Sequence, residues 1–188
     1  AITISKAQFE YASNKIQKEG LSEKVSIKFK DYRDIDKQYS NIASIEMFEA
    51  VGKKYWENYF EVVKSSLLNS GKAALQIITI DKKRSFEYQR QPDFIQQYIF
   101  PGGMLPTKEE LRQINQNLGL DFNETKSFGI SYAKTLNVWN NRFQSSWQDL
   151  VKQGFNERFK RMWEFYLSYC ETGFISKSTD VSHFLIKK

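Results

Sequence analysis

The run KAALQIITI, Lys72–Ile80, constrains the fold of this chain more than any other stretch. Six of its nine residues are apolar, without the alternation of a half-buried strand. Strands that read as continuous apolar runs are typical of parallel sheets covered by helices on both faces. The run therefore predicts a parallel strand, buried on both faces, in a layered α/β protein.

Strand and helix patterns alternate ahead of this run. The opening AITIS reads as the end of a strand, and Ser5 with Gln8 forms a capping-box pattern for a helix ending at Gly20. A strand, a short strand and a helix ending before Gly71 are then predicted: Val25–Lys30, Asn41–Ile45 and Lys53–Leu68. This order implies right-handed crossovers. Because the chain opens within a strand and lacks an initiator Met, we expect a fragment of a longer protein.

The second half of the chain departs from that alternation. Residues 81–106 are polar and aromatic with a PGG turn, and Thr107 with Glu110 opens a helix ending at Gly119. We therefore place a lid insertion at about residues 81–120. A strand, two helices and a closing strand are predicted beyond it: Phe122–Tyr132, Ala133–Lys152, Phe155–Thr172 and Val181–Lys188. With no repeat or linker, residues 1–188 are predicted to belong to a single domain, with helices over about residues 133–173.

The composition of the chain limits the kinds of partner and the cellular compartment that fit it. The net charge of +6 suggests an anionic partner, a membrane surface or nucleic acid, although a soluble basic surface explains it equally well. The 15% of aromatic residues favours a globular domain with a pocket. The single Cys170 fits a reducing compartment. Because no apolar run approaches the roughly 20 residues of a membrane span, we expect a cytosolic protein that touches membranes from outside if at all.

Polar residues interrupt the apolar strands where a ligand site is expected. Ligands bind outside the carboxyl ends of strands in open α/β sheets, and Glu46 and Glu49 directly follow the Asn41–Ile45 strand. Gln76 lies inside the apolar run, and Tyr132 ends a later predicted strand. Solvated loop acids and a hydrogen-bonded core glutamine remain the plainer interpretation. The convergence of these groups nevertheless makes this edge the candidate site.

Several other kinds of site lack support in the sequence. With one histidine and one cysteine, no zinc site of the usual ligands can be built. His183 lies in the closing strand, where we expect an edge-strand residue rather than a catalyst. No phosphate-binding GxxxxGK loop and no RNP motif occurs, and nucleic acid is not expected as a partner. The aromatic stripe of Phe155–Phe174 indicates core packing, although a lipid tunnel needs similar walls.

A series of motifs in order resembles one known family across nearly the whole chain: DYRDI, SIEMFEAVG, YWENYF, YIFPGGMLP, YAKTLNVW and RFKRMWEFYLSYCETGF. They resemble the cyclopropane-fatty-acyl-phospholipid synthases and mycolic acid cyclopropane synthases. The resemblance implies a Rossmann-like, S-adenosylmethionine-dependent methyltransferase sheet of the α/β class. It also implies that this chain is the C-terminal portion, truncated at its N-terminus, with a helical lid over the acyl site.

The resemblance assigns roles to individual residues. It implies S-adenosylmethionine contacts by Thr3, Ile4, Gln8, Asp31, Tyr32 and Arg33, with Glu46 at the cofactor edge. It implies a bicarbonate site made by Glu49, Tyr132 and the backbone near Ile45, where Gln76 stands in place of a histidine found in many members. It implies acyl-tunnel walls at Phe100, Leu105, Leu136 and Tyr166. No metal is expected.

The reaction implied by the resemblance is methylene transfer from S-adenosylmethionine to a double bond in a phospholipid acyl chain. The resulting carbocation loses a proton to bound bicarbonate, which Glu49 and Tyr132 orient. The glycine-rich cofactor loop of the family, with its cysteine ligand, lies before Ala1. We therefore expect the chain by itself to bind cofactor poorly and to be inactive.

Two alternatives remain open. One is a methyltransferase acting on another lipid or a small molecule without ring closure, and the other is a non-catalytic basic module that binds membranes or nucleic acid. The expected location is cytoplasmic, peripheral at the inner face of the membrane. A homodimer is an open alternative for the oligomeric state.

Overall fold

The computed structural model describes residues 1–188 as an α/β fold. The strands are β1 (Ile2–Thr3), β2 (Lys28–Phe29), β3 (Tyr39–Ile45), β4 (Leu67–Ile80), β5 (Asp121–Ser127) and β6 (Thr179–Lys187). The α-helices are α1 (Lys6–Lys18), α2 (Trp56–Ser65), α3 (Lys82–Arg90), α4 (Phe94–Tyr98), α5 (Lys108–Asn117), α6 (Gly129–Ser145), α7 (Trp147–Lys152) and α8 (Glu157–Ile175). None of the helices combines the length and apolar character that crossing a bilayer requires.

The strands form two sheets. β1 and β2 make a parallel pair, while the main sheet has the order β3-β4-β6-β5. Within the main sheet β3 and β4 are parallel, and β6 runs antiparallel to both β4 and β5. β6 is therefore an internal strand, so the expectation that His183 lies on a sheet edge is wrong. His183, at the centre of β6, thus has β4 on one side and β5 on the other.

The main core lies on one face of this sheet. Alternate β4 residues Leu75 and Ile77 pack with Phe184 of β6 against α2 and Leu111 of α5. A smaller cluster on the other face joins α6 and α8 to Val181. This second layer covers only part of the sheet, because Ala74 is exposed and Gln76 and Ile78 are half-buried. The prediction that the Lys72–Ile80 run is buried on both faces is therefore wrong for its first half.

Several element boundaries differ from the sequence predictions. The predicted helix Lys53–Leu68 ends at Ser65, because Leu67 is a core residue of β4 rather than a continuation of the helical stripe. Gly71 lies within β4, where a side chain would approach Ser40 O at 3.1 Å. The predicted strand Val25–Lys30 shortens to β2, and the predicted helix Ala133–Lys152 divides into α6 and α7 at Ser146.

The start of α6 is set by a contact distant in sequence. The predicted strand Phe122–Tyr132 stops at Ser127, and Tyr132 lies in the first turn of α6 instead. Asp180 accepts a hydrogen bond from the Gly129 N–H at 3.0 Å and so caps this helix from β6. Because the cap lies about fifty residues away, no local sequence signal marks the helix start.

The predicted lid segment, residues 81–120, has two parts. α4 rests on α8, where Phe94 meets Phe165 at 4.6 Å between ring centroids and the Tyr169 hydroxyl donates to Asp93 at 3.0 Å. α5 belongs to the core of the main sheet instead, with the predicted Thr107–Glu110 capping box at its start. The lid helices thus connect the end of β4 to the core through the PGG turn.

Candidate active site

Glu46, Gln76 and Tyr132 meet at the carboxyl end of β3. Glu46 follows β3 with a left-handed backbone, φ +51°, and its N–H donates to Gln76 O at 2.9 Å. Gln76 is on the half-covered face of β4, and Tyr132 reaches it from the first turn of α6. The polar groups predicted to converge at this sheet edge therefore do so, although Tyr132 arrives from a helix.

Hydrogen bonds join these three side chains into one cluster. The Gln76 amide nitrogen donates to Glu46 Oε1 at 2.7 Å and to the Tyr132 hydroxyl at 2.6 Å. The Tyr132 hydroxyl in turn donates to Glu46 Oε1. Burial raises the pKa of Tyr132, and the bond to Glu46 raises it further. The hydroxyl is therefore a proton donor to the carboxylate rather than a phenolate.

Glu49 lies in the same region but outside this cluster. Its Oε1 accepts from the Ile78 N–H at 2.6 Å, whereas its Oε2 is buried without a hydrogen-bond partner. Burial raises the pKa of Glu49 to about 7, against the Ile78 hydrogen bond, which lowers it. Because a buried acceptor without a donor is costly, Oε2 is a place for a protonated group of a ligand.

A cavity of about 1020 Å³ opens beside these carboxylates. Glu46, Glu49 and Tyr132 line it, and so do all four predicted tunnel residues: Phe100, Leu105, Leu136 and Tyr166. Half of its 32 lining residues are hydrophobic. An elongated apolar ligand with a reacting group near the carboxylates matches this composition.

The lid forms one wall of the cavity. Lining residues run from Arg84 to Leu105, and the Met104 N–H donates to Glu49 O at 2.9 Å, so the PGG turn ends beside Glu49. Tyr88 and Tyr169 also line the cavity, although the sequence does not single them out, and so does Cys170 of the stripe in Phe155–Phe174. Burial raises the pKa of the Cys170 thiol to about 12, which keeps it unreactive.

The residues predicted to bind S-adenosylmethionine lie at or after the ends of strands β1, β2 and β3. Thr3 and Gln8 are hydrogen-bonded at 2.8 Å beyond β1, and Asp31 pairs with Arg33 at 2.8 Å beyond β2. Tyr32 packs on Tyr59 of α2, 5.6 Å between ring centroids. Of the predicted cofactor residues, Glu46 alone lines the cavity.

Two apolar side chains at the same strand ends are open to solvent. Ile4 is 71% exposed after β1, and Ile45 is 63% exposed at the end of β3. Ile45 also lies outside the cavity lining, next to Glu46. The contacts of these two residues with a cofactor or with bicarbonate stay predictions.

His183 is a member of the site that sequence reasoning missed. Its Nε2 lies 2.9 Å from Gln76 Oε1, and its ring meets Phe128 edge to face at 4.7 Å. The signal that could have found it is the register of β4 and β6, which pairs Gln76 with His183. That register depends on a long-range antiparallel pairing.

A family model described as mycolic acid cyclopropane synthetase matches residues 1–184. The chain belongs to this family. Tuberculostearic acid methyltransferase UfaA1 of Mycobacterium tuberculosis is 38% identical over 182 residues, which are 96% of this chain and 43% of that protein. The cyclopropane-fatty-acyl-phospholipid synthase of Escherichia coli K12 is 38% identical over 175 residues, or 92% and 43% of the two chains. The chain thus spans less than half the length of these curated relatives.

Solved cyclopropane synthase structures share the fold. Mycolic acid cyclopropane synthase CmaA1, complexed with SAH and CTAB, matches with a TM-score of 0.84 at 25% identity, over 100% of this chain and 68% of that one. The cyclopropane synthase MmaA2 of Mycobacterium tuberculosis matches with a TM-score of 0.85 at 22% identity and the same coverage. The prediction of an S-adenosylmethionine-dependent methyltransferase fold is confirmed.

Proposed function

We propose that this chain is the C-terminal portion of an enzyme that transfers methylene from S-adenosylmethionine to the double bond of unsaturated phospholipid acyl chains, forming a cyclopropane ring. The observation that carries the proposal is the apolar cavity bordered by Glu46, Glu49 and Tyr132. Its apolar walls suit an acyl chain, and its polar groups border the position that the reacting carbon would take. Family membership supports the same chemistry.

The cofactor would lie across the ends of the parallel strands. Thr3, Ile4 and Gln8 would contact it from the first strand end, Asp31, Tyr32 and Arg33 from the second, and Glu46 from the third. S-adenosylmethionine would supply the electrophilic methyl group on its sulfonium. The exposed Ile4 leaves apolar surface for such a group to cover. The chain's own contribution is to hold the methyl donor against the cavity.

The unpartnered Oε2 of Glu49 fits a bicarbonate ion, which carries one proton to donate. Glu49, the Tyr132 hydroxyl and the backbone near Ile45 would hold the ion. Bound bicarbonate would supply the base for the proton that leaves during ring closure. Gln76 fits such a site as well, because its amide holds the Tyr132 hydroxyl at 2.6 Å.

The cavity walls would protect a cationic acyl intermediate. Phe100 meets Tyr166 edge to face at 6.3 Å, and both line the cavity, so aromatic faces are available to a positive carbon. Burial raises the pKa of Tyr166 to about 12, which keeps its hydroxyl neutral. Apolar walls also exclude water, which would otherwise capture the cation.

A second candidate is methylation of an acyl chain without ring closure. It is favoured by the relative UfaA1, a tuberculostearic acid methyltransferase at 38% identity. In either case the partner would be the phospholipid surface, approached from the cytoplasm at the inner face of the membrane. The net charge of +6 supports contact with anionic lipid. A non-catalytic membrane-binding module would have no need of the carboxylate-lined cavity.

Lipid analysis of cells expressing the full-length gene tests the proposal. Cyclopropanation adds one CH₂ to unsaturated phospholipids, removes the double bond and gives ring-proton signals by NMR. Methyl branching adds the same CH₂ but gives no ring signals. Unchanged lipids, from cells in which the protein is folded and abundant, would contradict both versions.

A further inference from the structure

His183 and Gln76 face each other across two internal strands. They are register partners in the antiparallel β4–β6 pair, and their side chains approach at 2.9 Å between His183 Nε2 and Gln76 Oε1. Because β4 and β6 both have neighbours on either side, the two backbones are held in place. The contact thus joins two fixed backbones through a His183 side chain that is open to solvent.

The chemistry of the cluster decides which way the Gln76 amide points. An ionised carboxylate only accepts hydrogen bonds, so the amide nitrogen must face Glu46. Its second N–H goes to the Tyr132 hydroxyl. The amide oxygen is left facing His183, and because this oxygen only accepts, His183 Nε2 must carry the proton.

His183 makes the one hydrogen bond that the Gln76 amide oxygen receives. Without that donor the amide is held through its nitrogen alone, by Glu46 and Tyr132. The Gln76 side chain is then free to move away from these two groups, and the Tyr132 hydroxyl loses a fixed donor. His183 therefore fixes the position of the Gln76 amide beside Tyr132 and Glu46.

We propose that His183 is a positioning residue of this enzyme: its Nε2–H holds the Gln76 amide in the orientation that keeps Tyr132 and Glu46 together at the cavity. His183 does not line the cavity, so it acts through Gln76 and not on the substrate. The inference rests on the proposed function for its effect on turnover, while the hydrogen bond itself can be tested without it.

Two substitutions at one position separate the hydrogen bond from packing. His183→Phe keeps an aromatic ring against Phe128 but removes the donor. His183→Gln restores an N–H at a similar reach. In the full-length enzyme we expect His183→Phe to lower kcat by roughly tenfold to a hundredfold with little change in KM for lipid, the scale of a misplaced catalytic group. His183→Gln should recover most of the loss.

A double mutant tests whether the effect passes through Gln76. Gln76→Leu removes the amide, so adding His183→Phe to it should change kcat no further. Additive losses would overturn the inference, because they would mean that His183 acts by another route. So would equal losses in His183→Phe and His183→Gln.

A spectroscopic measurement separates this inference from the proposed function. The side-chain amide of Gln76 in protein labelled with ¹⁵N-glutamine is assigned by its disappearance in Gln76→Leu. A shift of that signal in His183→Phe, reversed in His183→Gln, supports the positioning role even where wild-type protein modifies no lipid, a result that would contradict only the proposed function. An unmoved signal overturns the inference whether or not the enzyme is active.

Discussion

Two hydrogen bonds join Glu46 to Gln76, one between their backbones and one between their side chains. The Glu46 N–H donates to Gln76 O at 2.9 Å, and the Gln76 side-chain nitrogen donates to Glu46 Oε1 at 2.7 Å. The paired bonds hold Glu46 in a left-handed backbone, φ +51°, which costs a residue with a side chain about 1–2 kcal/mol. A carboxylate kept at such a cost beside a cavity is typical of a working site.

The first prediction concerns the charge of Glu46. Glu46→Gln replaces a carboxylate that accepts from two donors with a weaker neutral acceptor, so the Tyr132 hydroxyl loses its fixed direction. We expect kcat to fall by roughly tenfold or more, with a loss of about 1 kcal/mol in the free energy of unfolding. Steady-state kinetics and urea unfolding on one preparation check both. Full activity in folded Glu46→Gln would mean that Glu46 takes no part in turnover.

The second prediction concerns the acyl cavity. Phe100 lines the cavity and is 58% exposed, whereas Phe86 is 67% exposed on α3 and lies outside the lining. An acyl chain would bury Phe100, so Phe100→Ala should raise the KM for unsaturated lipid up to about tenfold, about 1.4 kcal/mol. Phe86→Ala, the matched control, should leave KM unchanged. Equal effects of the two variants would place the acyl chain elsewhere.

The third prediction concerns the contact between the lid and α8. Tyr169 donates to Asp93, the residue that also caps α4. Tyr169→Phe removes this bond, and a loss of about 1 kcal/mol should speed amide exchange in α4 about fivefold. Tyr98→Phe is the control, because Tyr98 is exposed on the same helix and its hydroxyl makes no hydrogen bond. Hydrogen exchange measured by mass spectrometry compares the two variants. Unchanged exchange in Tyr169→Phe would mean that the Tyr169–Asp93 bond does not stabilise α4.

The parts of the fold that were predictable from the sequence depend on local signals. The Thr107–Glu110 capping box opens α5 and the Lys72–Ile80 run forms a strand, as predicted, since each is encoded within a few residues. How far the second helical layer covers that strand is not encoded locally, and its first half is open on one face. The predicted end of α2 is wrong, because Leu67 fits both the apolar stripe of a helix and the buried face of a strand. The start of α6 was missed because its cap, Asp180, comes from β6.

The candidate site shows the same division. That Glu46, Gln76 and Tyr132 converge was predictable, because strand ends in an α/β sheet share one edge. The sequence does not predict which carboxylate contacts Tyr132, because that contact depends on the left-handed backbone at Glu46. The sequence suggests an edge strand for His183, whereas β6 lies inside the sheet. Local patterns do not predict this position, because strand order is set by long-range pairing.

The fourth prediction follows from the pKa of Glu49, which burial raises from its ordinary 4.5 to about 7. Between these values the folded protein binds more protons than the unfolded chain, so the free energy of unfolding falls as the pH rises through this window. Glu49→Gln lacks this dependence. Its stability relative to wild type should therefore increase by up to about 3 kcal/mol between pH 4.5 and about pH 8. Urea titrations across this range check it, and parallel curves for the two proteins would contradict it.

The last prediction concerns the role of Glu49 in turnover. Its Oε1 accepts from the Ile78 N–H, and its unpartnered Oε2 is the acceptor proposed for the protonated base. Gln keeps the shape of the side chain but puts an N–H donor or a weaker acceptor at Oε2, so the base would be misplaced. We expect Glu49→Gln in the full-length enzyme to lower kcat by about 100- to 10,000-fold, with the Kd for S-adenosylmethionine nearly unchanged. Glu61→Gln, an exposed change on α2, is the control and should alter neither quantity. Rapid-quench turnover and calorimetric titration on the same preparation measure both. If the folded Glu49→Gln variant turned over like the control, Glu49 would be a structural acid of the 3₁₀ turn at Phe48–Ala50 and not part of the reaction.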